Sequence, residues 1–344
     1  MIRFECDYAE GAHERVLRMM IETNMEQTVG YGKDPYCEKA RELVKKLCKV
    51  DSADVHFLVG GTQANKTIIA SILRPYQGAL CASTGHINAH ETGAIEATGH
   101  KVLALESTDG KITAKQIQDA YDEHWNDGSH EHTVQPGLVY ISNPTENGTL
   151  YTKQELTEIS EVCHKCNLPL FLDGARLGYG IMAKGNDLTV ADIARLCDVF
   201  YIGGTKVGAL FGEAVVITNE SLKKDFRYFI KQNGGMLAKG RLLGIQFIAL
   251  LQDNLYFQIS EWANIMAYRI KDALQKKGIR FLYDSMTNQQ FPIFEDCQLE
   301  KLSQTYSFNF WTKVDATHSA VRICTSWATK EEDVEQLIRD IDRL

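Results

Sequence analysis

Leu168-Pro169-Leu170-Phe171-Leu172-Asp173-Gly174-Ala175-Arg176 sets the reading of the whole chain. Its short apolar run, closed by an acid and a glycine, describes a strand covered on both faces rather than a core helix. Runs of the same kind recur at Val55–Leu58, Leu80–Ala82, Val102–Leu105, Leu138–Ile141, Val199–Ile202 and Ala214–Ile217, with helical patterns between most of them. Seven such runs alternating with helices predict an α/β domain built on a largely parallel sheet. From Lys239 to Lys277 the pattern turns helical, with Gly244 and Asp253-Asn254 as candidate interruptions. Strand candidates follow at Arg280–Leu282, Gln290–Phe294, Ser307–Thr312 and Ala320–Cys324, and an acidic amphipathic helix from Lys330 to Leu344 closes the chain. The expected division is a large domain over residues 1–240, then linking helices and a smaller α+β domain over 241–344.

At 344 residues, the chain is long enough for about two domains. With 44% hydrophobic and 24% charged residues it has an ordinary globular composition, which excludes collagen-like and disordered classes. A net charge of -8 offers no general attraction to nucleic acid or anionic lipid. No apolar run approaches the ~20 residues that cross a bilayer. The acids in Met1-Ile2-Arg3-Phe4-Glu5-Cys6-Asp7 fall where a secretory signal needs an apolar core, so a cytoplasmic protein is expected. Nine scattered cysteines, an odd number, read as reduced thiols rather than a disulfide framework.

In open α/β sheets ligands bind beyond the carboxyl ends of the strands, so the residues after each run carry the functional signal. After Val55–Leu58 comes Gly60-Gly61-Thr62-Gln63, a helix start that suits a phosphate, or a tight turn capped by Thr62. Asp173 needs a buried cation or several donors: a protonated cofactor ring nitrogen would serve, and so would an ion pair with Arg176. Lys206, in Gly203-Gly204-Thr205-Lys206, is either a desolvated amine poised to form a Schiff base or a surface lysine in a turn. The phosphate-loop pattern G-x-x-x-x-G-K-[ST] is not matched there. His86 follows the Leu80–Ala82 run and could stack on a ring, act as a base or cap a helix; no H-E-x-x-H accompanies it, and no metal site is expected. Cys163-His164-Lys165-Cys166 is a lone C-x-x-C within a helical pattern, and Gly178-x-Gly180-x-x-Ala183 lacks the context of a dinucleotide fingerprint. Arg322, inside an apolar strand, either grips a carboxylate or faces water.

Taken in order, these signals describe a pyridoxal phosphate site. Tyr31-Gly32-Lys33-Asp34-Pro35, Gly61-Thr62-Gln63-Ala64-Asn65, His86 with Glu91 and Gly93, Asn143-Pro144-Thr145-Glu146-Asn147-Gly148, Asp173-Gly174-Ala175-Arg176, Gly204-Thr205-Lys206 and Val321-Arg322 extend over nearly the whole chain. In them the sequence resembles the threonine aldolase group of the aromatic amino acid β-eliminating lyase family. That family has the aspartate aminotransferase-like fold (fold type I), with a mostly parallel seven-stranded sheet in the large domain.

The resemblance implies that Lys206 carries pyridoxal 5'-phosphate as a Schiff base, that Asp173 holds the pyridinium proton and that Arg176 binds the ring's phenolic oxygen. It implies that Gly61, Thr62 and Thr205 hold the phosphate, that His86 stacks on the ring and assists at the substrate β-hydroxyl, and that His132 is a second histidine near that hydroxyl. Arg322 would take the α-carboxylate. Tyr31 would stand in the active-site loop near a subunit boundary, with Lys239, Lys231 or Arg241 reaching the phosphate. The implied reaction is cleavage of L-threonine, L-allo-threonine or a related β-hydroxy-α-amino acid to glycine and an aldehyde, through an external aldimine and Cα–Cβ scission. The alternatives on the same cofactor are β-elimination and racemisation. A homotetramer arranged as a dimer of dimers is implied, with a small amino acid as its only other partner. One departure bears on substrate: where the family commonly has Arg-Ser-Asp-Thr, this chain has Glu5-Cys6-Asp7-Tyr8, so a carboxylate-binding serine becomes Cys6, a weaker donor.

Overall fold

A computed structural model describes residues 1–344. All seven apolar runs are strands of one sheet: β1 (Asp54–Leu58), β2 (Gln77–Ala82), β3 (Lys101–Leu105), β4 (Gln135–Ser142), β5 (Leu170–Asp173), β6 (Val199–Gly203) and β7 (Glu213–Ile217). The order across the sheet is β1-β7-β6-β5-β4-β2-β3. Neighbours from β6 to β3 run parallel, whereas β7 is antiparallel to both β1 and β6. Alternate residues pack to opposite faces. Phe57, Val139, Leu172, Phe200 and Val216 join one apolar core, and Leu58, Leu138, Phe171, Tyr201 and Val215 the other, which is why the runs are apolar without alternation.

The helical stretch is two helices, Arg241–Leu251 and Leu255–Lys276. They break where Asp253 and Asn254 take left-handed backbone angles, φ 56° and 59°. Gly244 does not interrupt the first: that residue lets the helix close on Cys37, whose Cα would lie 2.7 Å from any added Cβ. In the small domain, His318–Cys324 pairs with Gln289–Gln290, Pro292–Glu295 and Asn309–Lys313, and Arg280–Phe281 lies beyond Pro292–Glu295. Two expected strands are split there: Gln290–Phe294 is divided at Phe291, and Ser307–Thr312 at Phe308. The final helix spans Glu331–Asp342 and buries Val334, Leu337 and Ile341.

The start of the chain joins this small domain. Ile2–Arg3 pairs in parallel with Tyr306–Ser307, and Phe4 packs in the core formed by Met266, Ile270, Phe294 and Val321. No helix is long and apolar enough to cross a membrane. None of the nine cysteines is paired with another; Cys163 and Cys166 are both buried.

Candidate active site

The carboxyl ends of β1, β4, β5 and β6 converge on a cleft of about 310 Å³, lined by Gly60, Gly61, Thr62, His86, Ser142, Glu146, Asp173, Arg176, Tyr201, Thr205, Lys206 and Glu213 among others. Antiparallel β7 enters at the same edge, which delivers Glu213 from its first position.

The helix after β1 spans Gly61–Ile72, and its N-cap is Gly60, which makes no side-chain cap. Thr62 therefore does not cap it. The first-turn amides have no intrahelical acceptors, and with the positive end of the helix dipole they form an anion cradle. A Cβ at Gly60 would meet nothing within 4 Å, so the cradle is open.

Asp173 is 4% exposed and does not pair with Arg176. It accepts from the Tyr140 hydroxyl at 2.6 Å, from Asn65 Nδ2 at 3.1 Å and from the Ala175 amide at 2.9 Å. Burial alone would raise its pKa, but the His86 charge and these donors outweigh it, and the group is held below the ordinary carboxylate range. Asp173 therefore brings an anion to the cleft at neutral pH. Asn65 Nδ2 also donates to Glu91 Oε1 at 2.7 Å, and the same oxygen lies 2.8 Å from His86 Nδ1. This chain of contacts orients the His86 ring.

Arg176 spends its fork elsewhere. Its Nε and Nη2 both bind Asp7, at 2.6 and 2.9 Å, and Asn288 of the small domain donates to Asp7 Oδ2 at 2.9 Å. Only Nη1 makes no hydrogen bond within the chain. Lys206 Nζ makes none either. Burial, followed by the Arg176 charge, pushes the Lys206 pKa down, although Asp7, Asp173 and Glu213 counter it. That is the condition under which a lysine becomes a nucleophile at moderate pH.

Glu146 closes the wall between His86 and β4. Its Oε1 accepts from the Ser142 hydroxyl at 2.7 Å and from the His86 amide at 3.0 Å. Arg322 is half-buried, not turned out to water. Its Nη1 and Nη2 reach Gln289 Oε1 and the Glu5 carbonyl, at 3.3 and 3.2 Å, while Nε has no partner. The Arg322 charge reaches Tyr8, on the cleft rim, and His90.

Five residues singled out in the sequence do not line this cleft: Arg322, His132, Tyr31, Lys239 and Cys6. His132 ends the short turn His130–His132 just before β4 begins, at the amino edge of the sheet and opposite the cleft. Tyr31 and Lys239 belong to a separate surface, where the Tyr31 amide binds the Ala238 carbonyl and Lys231 Nζ stands 5.1 Å from the Tyr31 ring centre. Cys6 is half-buried and makes no hydrogen bond. Conversely, Asp7, Tyr140, Glu146 and Glu213 had no assigned role in the sequence. Glu146 stood inside a quoted motif and Asp7 beside Cys6, but Tyr140 and Glu213 looked like ordinary strand residues.

A buried anion, an unpaired lysine and an anion cradle, gathered at one sheet edge with a small domain beside them, define the fold type I architecture. The beta-eliminating lyase family model matches residues 6–297, and the chain belongs to that family. The threonine aldolase of Leishmania major is 45% identical and superposes with a TM-score of 0.97, covering 100% of this chain and 99% of that one. A low specificity L-threonine aldolase of Pseudomonas aeruginosa is 29% identical over 98% of this chain and 96% of its own length. Aspartate aminotransferase of Thermus thermophilus, 14% identical, superposes with a TM-score of 0.73 over 100% of this chain and 91% of its own, which speaks for the fold alone.

Family and fold imply a pyridoxal phosphate cofactor, and the residues present fit it. The open helix start suits a phosphate, the anionic Asp173 suits a protonated ring nitrogen, and Lys206 lines the same cleft.

Proposed function

We propose that the chain is a pyridoxal phosphate-dependent aldolase that cleaves L-threonine, L-allo-threonine or related β-hydroxy-α-amino acids to glycine and an aldehyde. The observation that carries this reading is the His86–Glu91 pair, held at the same cleft as Asp173 and Lys206. When bound, the cofactor supplies an electron sink for the pair released as Cα–Cβ breaks. Lys206 is the point of covalent attachment. Asp173 keeps the ring nitrogen protonated, the Gly60–Thr62 amides bind the phosphate, and Arg176 offers Nη1 to the phenolic oxygen. Arg322 takes the substrate carboxylate beside Cys6. His86 removes the β-hydroxyl proton, and Glu91 stabilises the imidazolium that results, a contribution of about 10² to 10⁴ in rate.

Tyr31, Lys231, Lys239 and Arg241 act across a contact between copies of the chain. Their surface exposes Ile21, Met25, Val29 and Tyr228, at 76, 88, 64 and 77%, an apolar density that favours cover by a second copy. A dimer of dimers is the proposed assembly, and the 1–240/241–344 division its proposed protomer.

Absorbance spectra with and without pyridoxal phosphate, followed by L-threonine and an acetaldehyde assay, test the function. A visible band that disappears in Lys206→Ala, together with acetaldehyde release, is the expected result. A band with release of a keto acid and ammonia, or of the opposite enantiomer, would favour β-elimination or racemisation, and no band would remove the cofactor reading.

A further inference from the structure

Two acids at the cleft, Glu146 and Glu213, have no part in the reaction above. Glu213 is 3% exposed and stands between two elements that both end at the site. Its backbone pairs with Leu58, which leads into Gly60-Gly61-Thr62, and with Gly203, which leads into Thr205 and Lys206. The Thr205 hydroxyl donates to Glu213 Oε1 at 2.8 Å while accepting from the Gly212 amide at 3.0 Å, so its single proton is committed. That removes Thr205 as a free phosphate donor. Glu213 Oε2 is buried with no partner at all. A Cβ at Gly61 would come within 3.1 Å of the Tyr201 hydroxyl, and Tyr201 and Glu213 line the same cleft as Gly60, Gly61 and Thr62.

An ionised carboxylate with one bare oxygen is costly in such a place, and it would repel the phosphate that the helix start attracts. A proton on Oε2 removes both penalties and turns the side chain into a donor in need of an acceptor. We propose that Glu213 is a cofactor-binding residue which, as a neutral carboxylic acid, donates a hydrogen bond from Oε2 to the phosphate gathered at Gly60–Thr62. The inference rests on the pyridoxal phosphate reading and adds to it a phosphate ligand of unusual chemistry.

The electrostatics agree. Burial is the largest influence on Glu213 and raises its pKa to about 8, with Asp173 adding to the rise and the Thr205 bond and Lys206 charge opposing it. The ionisable groups facing it are Lys206 after β6, Tyr201 on β6, Asp173 at the end of β5 and Tyr256 on the long helix. From β1 through Thr62 none faces it. The acid is therefore neutral at pH 7 and ionises as pH rises past 8, and phosphate binding weakens in that direction.

Pyridoxal, which has the aldehyde and ring but no phosphate, isolates the effect. Dissociation constants for pyridoxal phosphate and pyridoxal would be measured from the absorbance change on binding, at pH 7 and pH 9, in wild type, Glu213→Gln and Glu213→Leu. In wild type, the preference for the phosphorylated aldehyde should fall about tenfold between the two pH values. Glu213→Gln keeps a donor that does not ionise, so its preference should be unchanged by the extra loss; ionisation of the phosphate itself is common to both proteins. Glu213→Leu should show a reduced preference already at pH 7. Equal pH dependence in wild type and Glu213→Gln would overturn the proposal, as would variants that weaken both aldehydes equally, since that is an effect on Lys206. Failure of both aldehydes to give a Lys206-dependent band would remove the cofactor reading itself, a result distinct from normal binding without the phosphate effect.

Discussion

Asp7 grips Arg176 through two hydrogen bonds, Nε to Oδ2 at 2.6 Å and Nη2 to Oδ1 at 2.9 Å, although the residues are 169 positions apart. With Asn288 donating to the same carboxylate, the pair joins the N-terminal segment, the large domain and the small domain at the rim of the cleft. The carboxylate is fully buried, and the arginine side chain is only 11% exposed. Asp7→Ala leaves that guanidinium without its partner, at a cost of about 3–5 kcal/mol. Thermal denaturation should show a melting temperature lower by several degrees. An unchanged melt would mean that solvent or another acid takes over the pairing.

The same pair makes the protein sensitive to acid. Burial works to raise the Asp7 pKa from its ordinary 3.8, but the Arg176 charge and hydrogen bonds prevail and hold it at about 2. A depressed carboxylate stabilises the fold fully above its unfolded-state value and loses that contribution as pH falls through the folded one. Asp7 thus contributes about 2 kcal/mol above pH 4, lost progressively toward pH 2. In urea titrations at pH 5 and pH 2.5, Asp7→Asn should lose less stability between the two than wild type. Identical losses would assign the acid sensitivity to other groups.

Glu91 positions His86 and touches neither substrate nor cofactor in the proposed scheme. Removing the ring in His86→Ala should slow acetaldehyde release about 10²- to 10⁴-fold while the visible band of the loaded protein persists. Glu91→Gln keeps an acceptor for His86 Nδ1 but removes the charge, so kcat should fall more than KM rises. A change confined to KM would place Glu91 in substrate binding instead.

Cys6 tests the departure in the N-terminal motif. The thiol makes no hydrogen bond and lies in the segment whose Glu5 carbonyl accepts from Arg322 Nη2. Cys6→Ser introduces a stronger donor near the proposed carboxylate site, and KM for L-threonine should fall about 2- to 10-fold, the worth of one hydrogen bond. A rise in KM would show that the thiol suits a substrate other than threonine.

Much of the architecture was readable from residue order. Each of the seven strands announces itself as a short apolar run, because a strand covered on both faces needs apolar side chains at consecutive positions. Asp173, Lys206 and His86 were legible because strand polarity brings the residues after parallel strands to one edge. By the same rule His132, which precedes β4, lies at the other edge of its own chain's sheet. The split strands of the small domain were not legible, since pairing at a divided strand depends on which partner lies alongside.

The sequence by itself determined the strands, their α/β alternation and the family-like order of glycine-threonine, histidine, aspartate and lysine. These follow from local pattern and the chemistry of single residues. Only the tertiary structure decided the partnerships: Arg176 with Asp7 rather than Asp173, His86 with Glu91, and Glu213 set between β1 and β6 beneath the helix start. The physical reason is that burial and charge pairing depend on distance in space, and a carboxylate's protonation state is settled by neighbours that the chain order does not place beside it.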